Sequence, residues 1–252
     1  MSNNNSKEFF MNNKIVVIIQ AHMSSTRLPG KVLKPLAAKP ALYRMIERVR
    51  QSSRIARIVI ATSTMACDDV LEQYCREWGV DCYRGSDDDV LMRFVGAAEA
   101  FPADVYGRLT SDCPLICPKE IDIIIDAFFE SGVRYCTHHP ERHVNGTNIE
   151  IFTRELLFEA AEKSTERYEH EHVTPYMYWK QDSVHFCEQN IDTKKYRLTL
   201  DTPEDYALLC AVYGALYNEG NTFTLQSITD FLDAHPFINN INCHLCDKPI
   251  KE

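Results

Sequence analysis

The first half of the chain alternates between two hydrophobic rhythms. Ile15 to Ile19 is a continuous apolar, β-branched run, followed by a polar loop containing Pro29 and Gly30, the pattern of a buried strand entering a functional loop. Leu42, Met45, Ile46 and Val49 then recur at spacings of three and four, which predicts an amphipathic helix over Ala41 to Val49. Strands are expected at Ile58 to Ala61, Val80 to Tyr83 and Val105 to Leu109. Helices are expected at Asp69 to Trp78, Asp88 to Phe101 and Ile121 to Phe129, with Ser86 capping the one that starts at Asp88. Strands alternating with helices predict an α/β fold with a parallel sheet covered on both faces, which places ligands at the carboxyl ends of the strands.

Beyond Arg134 the rhythm is less regular. Strand-like runs fall at Ile149 to Phe152, Val184 to Asn190 and Arg197 to Leu200. Helices are expected near Glu155 to Glu162, Val173 to Trp179, Pro203 to Tyr217 and Leu225 to Ala234. No internal repeat or long linker interrupts the pattern. The expected organisation is a flexible leader over 1–13, one domain over 14–235 with halves 14–133 and 134–235, and a tail over 236–252.

Composition narrows the function. With 45% apolar and 25% charged residues, the 252-residue chain is expected to be an ordinary globular protein. Its 27 basic and 36 acidic residues give a formal charge of -9, a surface field that argues against nucleic acid as a partner but leaves room for a local basic pocket. The ten cysteines are mostly scattered through apolar or mixed segments, which fits reduced thiols better than a disulfide framework. The start has no apolar core like that of a signal peptide and no stretch is long enough to span a membrane, so the expected location is cytoplasmic and membrane-free.

The loop QAHMSSTRLPGK, Gln20 to Lys31, carries Ser24, Ser25, Thr26, Arg27, Gly30 and Lys31 directly after a strand. Hydroxyls, backbone amides and two fixed positive charges are the groups that hold a polyphosphate. The loop is not a Walker loop, because Ser25 stands where the first Gly is required and Val32 follows Lys31. Asp112 lies just past another strand, and a lone carboxylate there suits Mg²⁺, which takes one or two protein carboxylates and fills its octahedron with phosphate oxygens and water. In DTPED, Thr202 and Pro203 begin a helix and Glu204 and Asp205 suit its first turn, leaving Asp201 before the cap.

Taken together, MSSTRLPGKVL, RGSDDDVLMRF, LTSDCPLI and RLTLDTPEDYALL resemble the cytidylyltransferase superfamily of CMP-sugar synthetases, and most closely its branch related to spore-coat polysaccharide proteins. The resemblance runs from about Lys14 to about Tyr217. It implies a nucleotidyltransferase-type α/β fold, a mixed, mostly parallel, Rossmann-like sheet flanked by helices, with a less regular second half that binds the acceptor and forms a homodimer. It also implies a Mg²⁺-dependent enzyme of polysaccharide or glycoconjugate synthesis that transfers CMP from CTP to a small acidic sugar and releases pyrophosphate.

Carried onto this chain, the resemblance makes Asp112 and Asp201 the metal ligands and, with Lys31 and Arg27, the catalytic set. Nucleotide contacts are expected from Gln20, Ala21, His22, Ser24, Ser25, Thr26, Gly30, Arg84, Ser86 and Arg93. Acceptor contacts are expected from Asn145, Asn148, Glu150, Glu171, His172, Tyr176 and Arg197, with Arg167 and Arg197 as charge partners for an acid.

Several other features read as structural. The acids Asp87, Asp88 and Asp89 are expected to compensate a helix dipole rather than bind a metal. His138, His139 and His143 fall in a loop without a spaced partner set and are expected to be solvated. Cys243 and Cys246 form a C-x-x-C with no second pair to complete a zinc site.

Two positions depart from the family pattern: His22 replaces an Arg, and Asn148 replaces an acid before Glu150. The first removes a permanent charge from the phosphate loop, since imidazole with a reference pKa of about 6.5 is only partly protonated near neutral pH. They leave open a non-sugar acceptor such as a phosphonate. A third reading, a catalytically silent nucleotide-binding scaffold, predicts binding without any pyrophosphate.

Overall fold

The computed structural model describes residues 14–140, 142–189, 195–219 and 223–246. The polar leader, Asn190 and the end of the chain beyond 246 lie outside the described residues.

The chain opens on β1 (Ile15–Gln20), whose first five residues are buried. A small hairpin, β2 (Pro35–Leu36) and β3 (Lys39–Pro40), leads into α1 (Ala41–Val49). Next come β4 (Ile55–Ser63), α2 (Asp69–Trp78), β5 (Asp81–Gly85), α3 (Val90–Ala100), β6 (Val105–Thr110) and α4 (Pro118–Ser131). The second half adds β7 (Tyr135–His138), β8 (Glu150–Thr153), α5 (Arg154–Lys163), α6 (Arg167–His172), α7 (Pro175–Trp179) and β9 (Val184–Cys187). The described chain closes on α8 (Pro203–Leu216), α9 (Leu225–Ala234) and α10 (Pro236–Asn239).

Seven strands form one sheet in the order β5-β4-β1-β6-β8-β7-β9. All neighbours are parallel except at β8, which runs antiparallel to β6 and to β7. The carboxyl ends of β1, β4, β5, β6 and β7 therefore lie on the same edge as the amino end of β8, and that edge carries the site.

The alternating register of β1 divides the core. Ile15, Val17 and Ile19 pack with α1 and α4 on one face, while Val16 and Ile18 pack with α3 and α5 on the other. A third cluster joins Leu198, Leu200, α8 and α9 to Leu28 of the phosphate loop and Leu36 of the hairpin. It clamps the late part of the chain against the first loop. Among the described residues, no helix is long and apolar enough to cross a membrane.

The structure corrects several local expectations. The helix expected over Asp88 to Phe101 begins at Val90, and its cap is Asp89, whose carboxylate accepts from Met92 N at 2.9 Å. Ser86 instead accepts from the Asp89 backbone, bracing the turn before the cap. The helix expected over Val173 to Trp179 begins only at Pro175; Val173, whose φ of 70° is rarely adopted by a β-branched residue, ends a preceding short helix, α6. Arg197 to Leu200 is not a strand; it contributes one isolated bridge, Asn145 to Arg197. Within the stretch expected as a tail, which is described to residue 246, Asn242 is fully buried and its amide donates to Arg197 O and Asp205 Oδ1. His138 is not solvated but 2% exposed at the end of β7. Its strand pairs with β9 and packs under α4, contacts that no local pattern announces. All ten cysteines are free thiols.

Gly146 joins this late segment to the sheet. Its φ is 89°, and a Cβ there would lie 2.4 Å from Leu198 C and 2.5 Å from Leu198 O. Gly146→Ala is expected to cost about 3 kcal/mol from backbone strain and overpacking together. Gly214 lies in α8 with nothing within 4 Å of a built Cβ, so Gly214→Ala should instead stabilise by about 0.5–1 kcal/mol. Urea unfolding of the two variants checks the pair, and equal midpoints would contradict the steric reading.

Candidate active site

The carboxyl edge of the sheet opens into a cleft of about 840 Å³ whose walls include Gln20, His22, Ser24, Ser25, Thr26, Arg27 and Lys31 from the first loop. Asp87, Asp88 and Arg93, together with Arg167, Glu171 and His172 of α6, also line it. A second cavity of about 370 Å³ adjoins it, lined by His143, Asn145, Gly146, Asn148 and Glu150 among others. The two share Arg27, Arg108, Thr110, Asp112, His172 and Asp201. The arrangement is a larger and a smaller lobe meeting at a carboxylate pair.

The first loop is held from beneath. The buried carboxylate of Asp68 accepts from Met23 N at 2.7 Å and from Ser63 Oγ at 2.5 Å, tying the loop to the end of β4. Gly30, at φ 65°, donates to Met23 O and starts the one-turn 3-10 helix that begins at Lys31. Leu28 anchors the other side of the loop in the third core cluster.

Lys31 stands between the two acids. Its ammonium lies 2.8 Å from Asp201 Oδ1 and 3.5 Å from Asp112 Oδ2, and its side chain is 8% exposed. Burial alone disfavours the ammonium, but Asp112 and then Asp201 outweigh it and raise the lysine above its ordinary value. Burial likewise pushes Asp112 upward, and the Lys31 charge reverses this, holding the carboxyl below the usual range. Asp201 is further bound by Arg27 at 3.1 Å and Arg197 at 3.3 Å. The acids come together because Leu200 N donates to Asp112 O at 2.8 Å and Thr199 Oγ1 to the same oxygen at 3.3 Å. That pairing puts Asp201 beside the end of β6.

The donor set fits a small hard cation. Asp112 and Asp201 already bracket one positive group, and among the described residues no group of three or more His, Cys, Asp or Glu is arranged to hold a metal ion. Two carboxylates without an all-protein cage leave coordination positions for phosphate oxygens and water, the preference of Mg²⁺.

Most residues expected at the site line it, and several do not. Ala21 is buried in the core, and Gly30 shapes the turn. Arg84 faces α2, where it pairs with Asp69 at 2.7 Å and Glu72 at 3.2 Å and donates to Ser63 O and Met65 O. Ser86 stays in its turn, its carbonyl accepting from Arg93 Nε at 2.7 Å. Tyr176 is buried and its hydroxyl donates to Glu159. Arg197 binds Asp205 and Asp201 and so supports the metal-ligand candidate from behind. Asp205 forms a capping box with Thr202, and Asp89 caps α3, as structural readings require. Asp87 and Asp88, just before that helix, also line the larger lobe.

No sequence motif marks Arg108, a single arginine inside β6. β6 and β8 set it directly across from Glu150, with which it forms a buried ion pair, and its Nε donates to Gln20 Oε1 at 3.0 Å. Glu150 also accepts from Tyr135 Oη and Thr174 Oγ1, each at 2.6 Å. The glutamate thus orients Arg108 toward the junction of the lobes.

His22 and His172 are both shifted below the ordinary histidine value, by burial first and then by Lys31 and Arg108 respectively. Both are neutral near neutral pH. His22→Arg places a permanent cation in the larger lobe and is expected to lower KM for a nucleoside triphosphate about fivefold, on the order of 1 kcal/mol. As pH falls below the ordinary histidine range, through the depressed value of His22, the wild-type imidazole gains its proton and the two KM values should converge. Equal KM values at neutral pH would contradict a triphosphate near His22.

Residues 16–226 match the family model described as Cytidylyltransferase. The chain is 40% identical over 210 residues to the spore coat polysaccharide biosynthesis protein SpsF of Bacillus subtilis (strain 168), covering 80% of this chain and 87% of that one. It is 32% identical over 125 residues to the 3-deoxy-manno-octulosonate cytidylyltransferase of Chlorobium chlorochromatii (strain CaD3), 48% of either chain. Among solved structures, a cytidylyltransferase from Leptospira borgpetersenii serovar Hardjo-bovis (strain JB197) superposes with a TM-score of 0.85 at 31% identity, covering 94% of this chain and 99% of that one.

Proposed function

The chain belongs to the cytidylyltransferase family and is a CTP-dependent nucleotidyltransferase, and from that premise we propose that it transfers CMP to a small acidic sugar, with Mg²⁺ as its metal. The observation that carries the reading is the convergence of Lys31, Asp112 and Asp201 where the two lobes meet. The larger lobe, with its hydroxyl-rich loop and cations, suits the nucleotide. The smaller lobe suits the acceptor. The relative that carries 3-deoxy-manno-octulosonate in its name supports an acidic acceptor.

In this reading Ser24, Ser25, Thr26 and Arg27 hold the triphosphate, and Lys31 offsets charge gathering on the α-phosphate and the leaving pyrophosphate. Asp112 and Asp201 would hold the metal, which when bound would supply Lewis-acid polarisation of phosphoryl oxygens. The acceptor hydroxyl oxygen forms a bond to the α-phosphorus as the bond from that phosphorus to the bridging β-oxygen breaks. Pyrophosphate departs with the electron pair. His172, neutral and common to both lobes, is placed to take the hydroxyl proton. Arg167 lines the larger lobe, has no carboxylate partner among the described residues, and is available to an anionic group.

The test is pyrophosphate release from each of the four nucleoside triphosphates against nonulosonic acids, neutral sugars and phosphonates, with and without Mg²⁺. Release from CTP with an acidic sugar is the expected result. Release only with a phosphonate would move the acceptor class, and binding of CTP without release from any pair would overturn the transfer reading.

A further inference from the structure

An acidic acceptor needs a positive group that faces the smaller lobe, and few side chains can supply one. Among the described residues, the permanent cations lining that lobe are Arg27 and Arg108. Arg27 belongs to the phosphate loop, and its Nη2 is bound to Asp201 at 3.1 Å. Arg197 lines neither lobe, being 6% exposed and paired with Asp205 and Asp201, and Arg167 lines only the larger one. The two arginines expected from the sequence as charge partners for an acid therefore leave the smaller lobe to Arg108.

Arg108 is held as a fixed fork. It stands on β6 between Gln20 at the end of β1 and Glu150 at the start of β8. Its Nε donates to Gln20 Oε1 at 3.0 Å and its Nη1 to Glu150 Oε2. A guanidinium carries only donors and stays charged, so both contacts have a single direction. Glu150 is fixed in turn, its other oxygen accepting from the hydroxyls of Tyr135 and Thr174. The pair carries no net charge, yet its ends are not equivalent. The carboxylate is turned toward donors of the protein, whereas Arg108 Nη2 has no hydrogen-bond partner among the described residues and is not sealed from solvent.

Arg108 also lines both lobes, as Asp112 and Asp201 do. In the transfer reading the acceptor hydroxyl meets the α-phosphorus at this junction, so a group bound by Arg108 sits within a few bonds of the reacting oxygen. We propose, resting on that reading, that Arg108 is the specificity-determining residue for the acceptor: its Nη2 donates to a carboxylate borne on or beside the carbon that carries the reacting hydroxyl. Gln20 and Glu150 are positioning residues that fix the angle of the fork. A lysine at 108 would keep the charge but could not hold both tethers and offer a third donor edge.

The first test is pyrophosphate release with CTP, Mg²⁺ and either 3-deoxy-manno-octulosonate or its C1 carboxamide, which gives the preference for the acid as a ratio of kcat/KM values. The wild type is expected to favour the acid by about tenfold or more. Arg108→Lys should raise the KM for the acid by about tenfold, with the CTP KM within about twofold. Removing the arginine alone would leave Glu150 without its counter-charge, so the second variant combines Arg108→Gln with Glu150→Gln. In that variant the preference should fall to within about twofold, whereas Glu150→Gln alone should keep it. A merely structural role would slow both acceptors together and leave the ratio at its wild-type value. That result, or a wild type that does not distinguish acid from amide, overturns the assignment of Arg108 while the transfer reading stands.

The second test is calorimetric binding of the acid in the presence of a CTP analogue with a methylene between the α- and β-phosphorus. Wild-type protein that releases no pyrophosphate with any acceptor overturns the transfer reading, and binding then decides Arg108 by itself. An affinity about tenfold weaker in Arg108→Lys supports the proposal; equal affinities, or no binding by the wild type, overturn it.

Discussion

Replacing Asp112 by Asn is expected to reduce metal-dependent pyrophosphate release by about a thousandfold or more, equivalent to roughly 4 kcal/mol of transition-state stabilisation. The substitution keeps the side chain's shape and leaves the backbone carbonyl that accepts from Leu200 N and Thr199 Oγ1. The link that brings the two acidic segments together therefore survives. What disappears is one of the two negative charges available to a divalent cation, together with the ion pair from Lys31. Mg²⁺ titration of turnover, alongside circular dichroism melting, separates lost chemistry from lost fold. A folded variant with wild-type turnover at any Mg²⁺ concentration is the outcome that would remove Asp112 from the mechanism.

Lys31→Met should reduce kcat by about a hundredfold to a thousandfold and also destabilise the metal-free protein. The ammonium is the group shared by Asp112 and Asp201, and Met fills much of its volume without a charge. Asp201 keeps Arg27 and Arg197, whereas Asp112 loses the counter-charge that outweighs its burial. The cost is set at about 1–3 kcal/mol, below that of a fully buried pair, because the Asp112 side chain is 24% exposed.

The pH dependence has a definite sign. In the wild type Asp112 is depressed, so its contribution is present above the unfolded carboxylate value of about 3.9 and is lost as pH falls through its lower folded value. The stability gap between wild type and variant should be largest above pH about 4 and should close on further acidification. Saturating Mg²⁺ should narrow the same gap near neutral pH, since a cation between the acids replaces part of the lost charge. Thermal melts with and without Mg²⁺ supply the check, and a metal-insensitive gap would count against a cation site at the carboxylate pair.

Much of the architecture was legible because it is written in short-range patterns. The apolar run at Ile15 to Ile19, the three-and-four spacing in Ala41 to Val49 and the Thr-Pro start of the helix at Pro203 report local burial and capping directly. The phosphate-loop candidates were legible for a related reason: hydroxyls and cations crowded into one segment after a strand share a neighbourhood wherever that strand lies. Where local cues compete, spacing alone does not choose between them. Ser86 and Asp89 both offered an oxygen near the start of α3, and only the backbone path shows that Asp89 reaches Met92 N.

By itself, the sequence determined the alternation of strands and helices, the composition of the phosphate loop and the presence of carboxylates at Asp112 and Asp201. It also located the departures at His22 and Asn148. Tertiary structure alone decided that the acids share Lys31, because this depends on the Leu200 to Asp112 backbone hydrogen bond between distant segments. It alone turned Arg108 toward the lobe junction, through the antiparallel pairing of β6 with β8 that sets Glu150 across from it. It alone buried His138 against Glu120. The physical reason is common to all three: periodicity and spacing report which face of an element is apolar, whereas the partner of a charged side chain is set by which strands become neighbours.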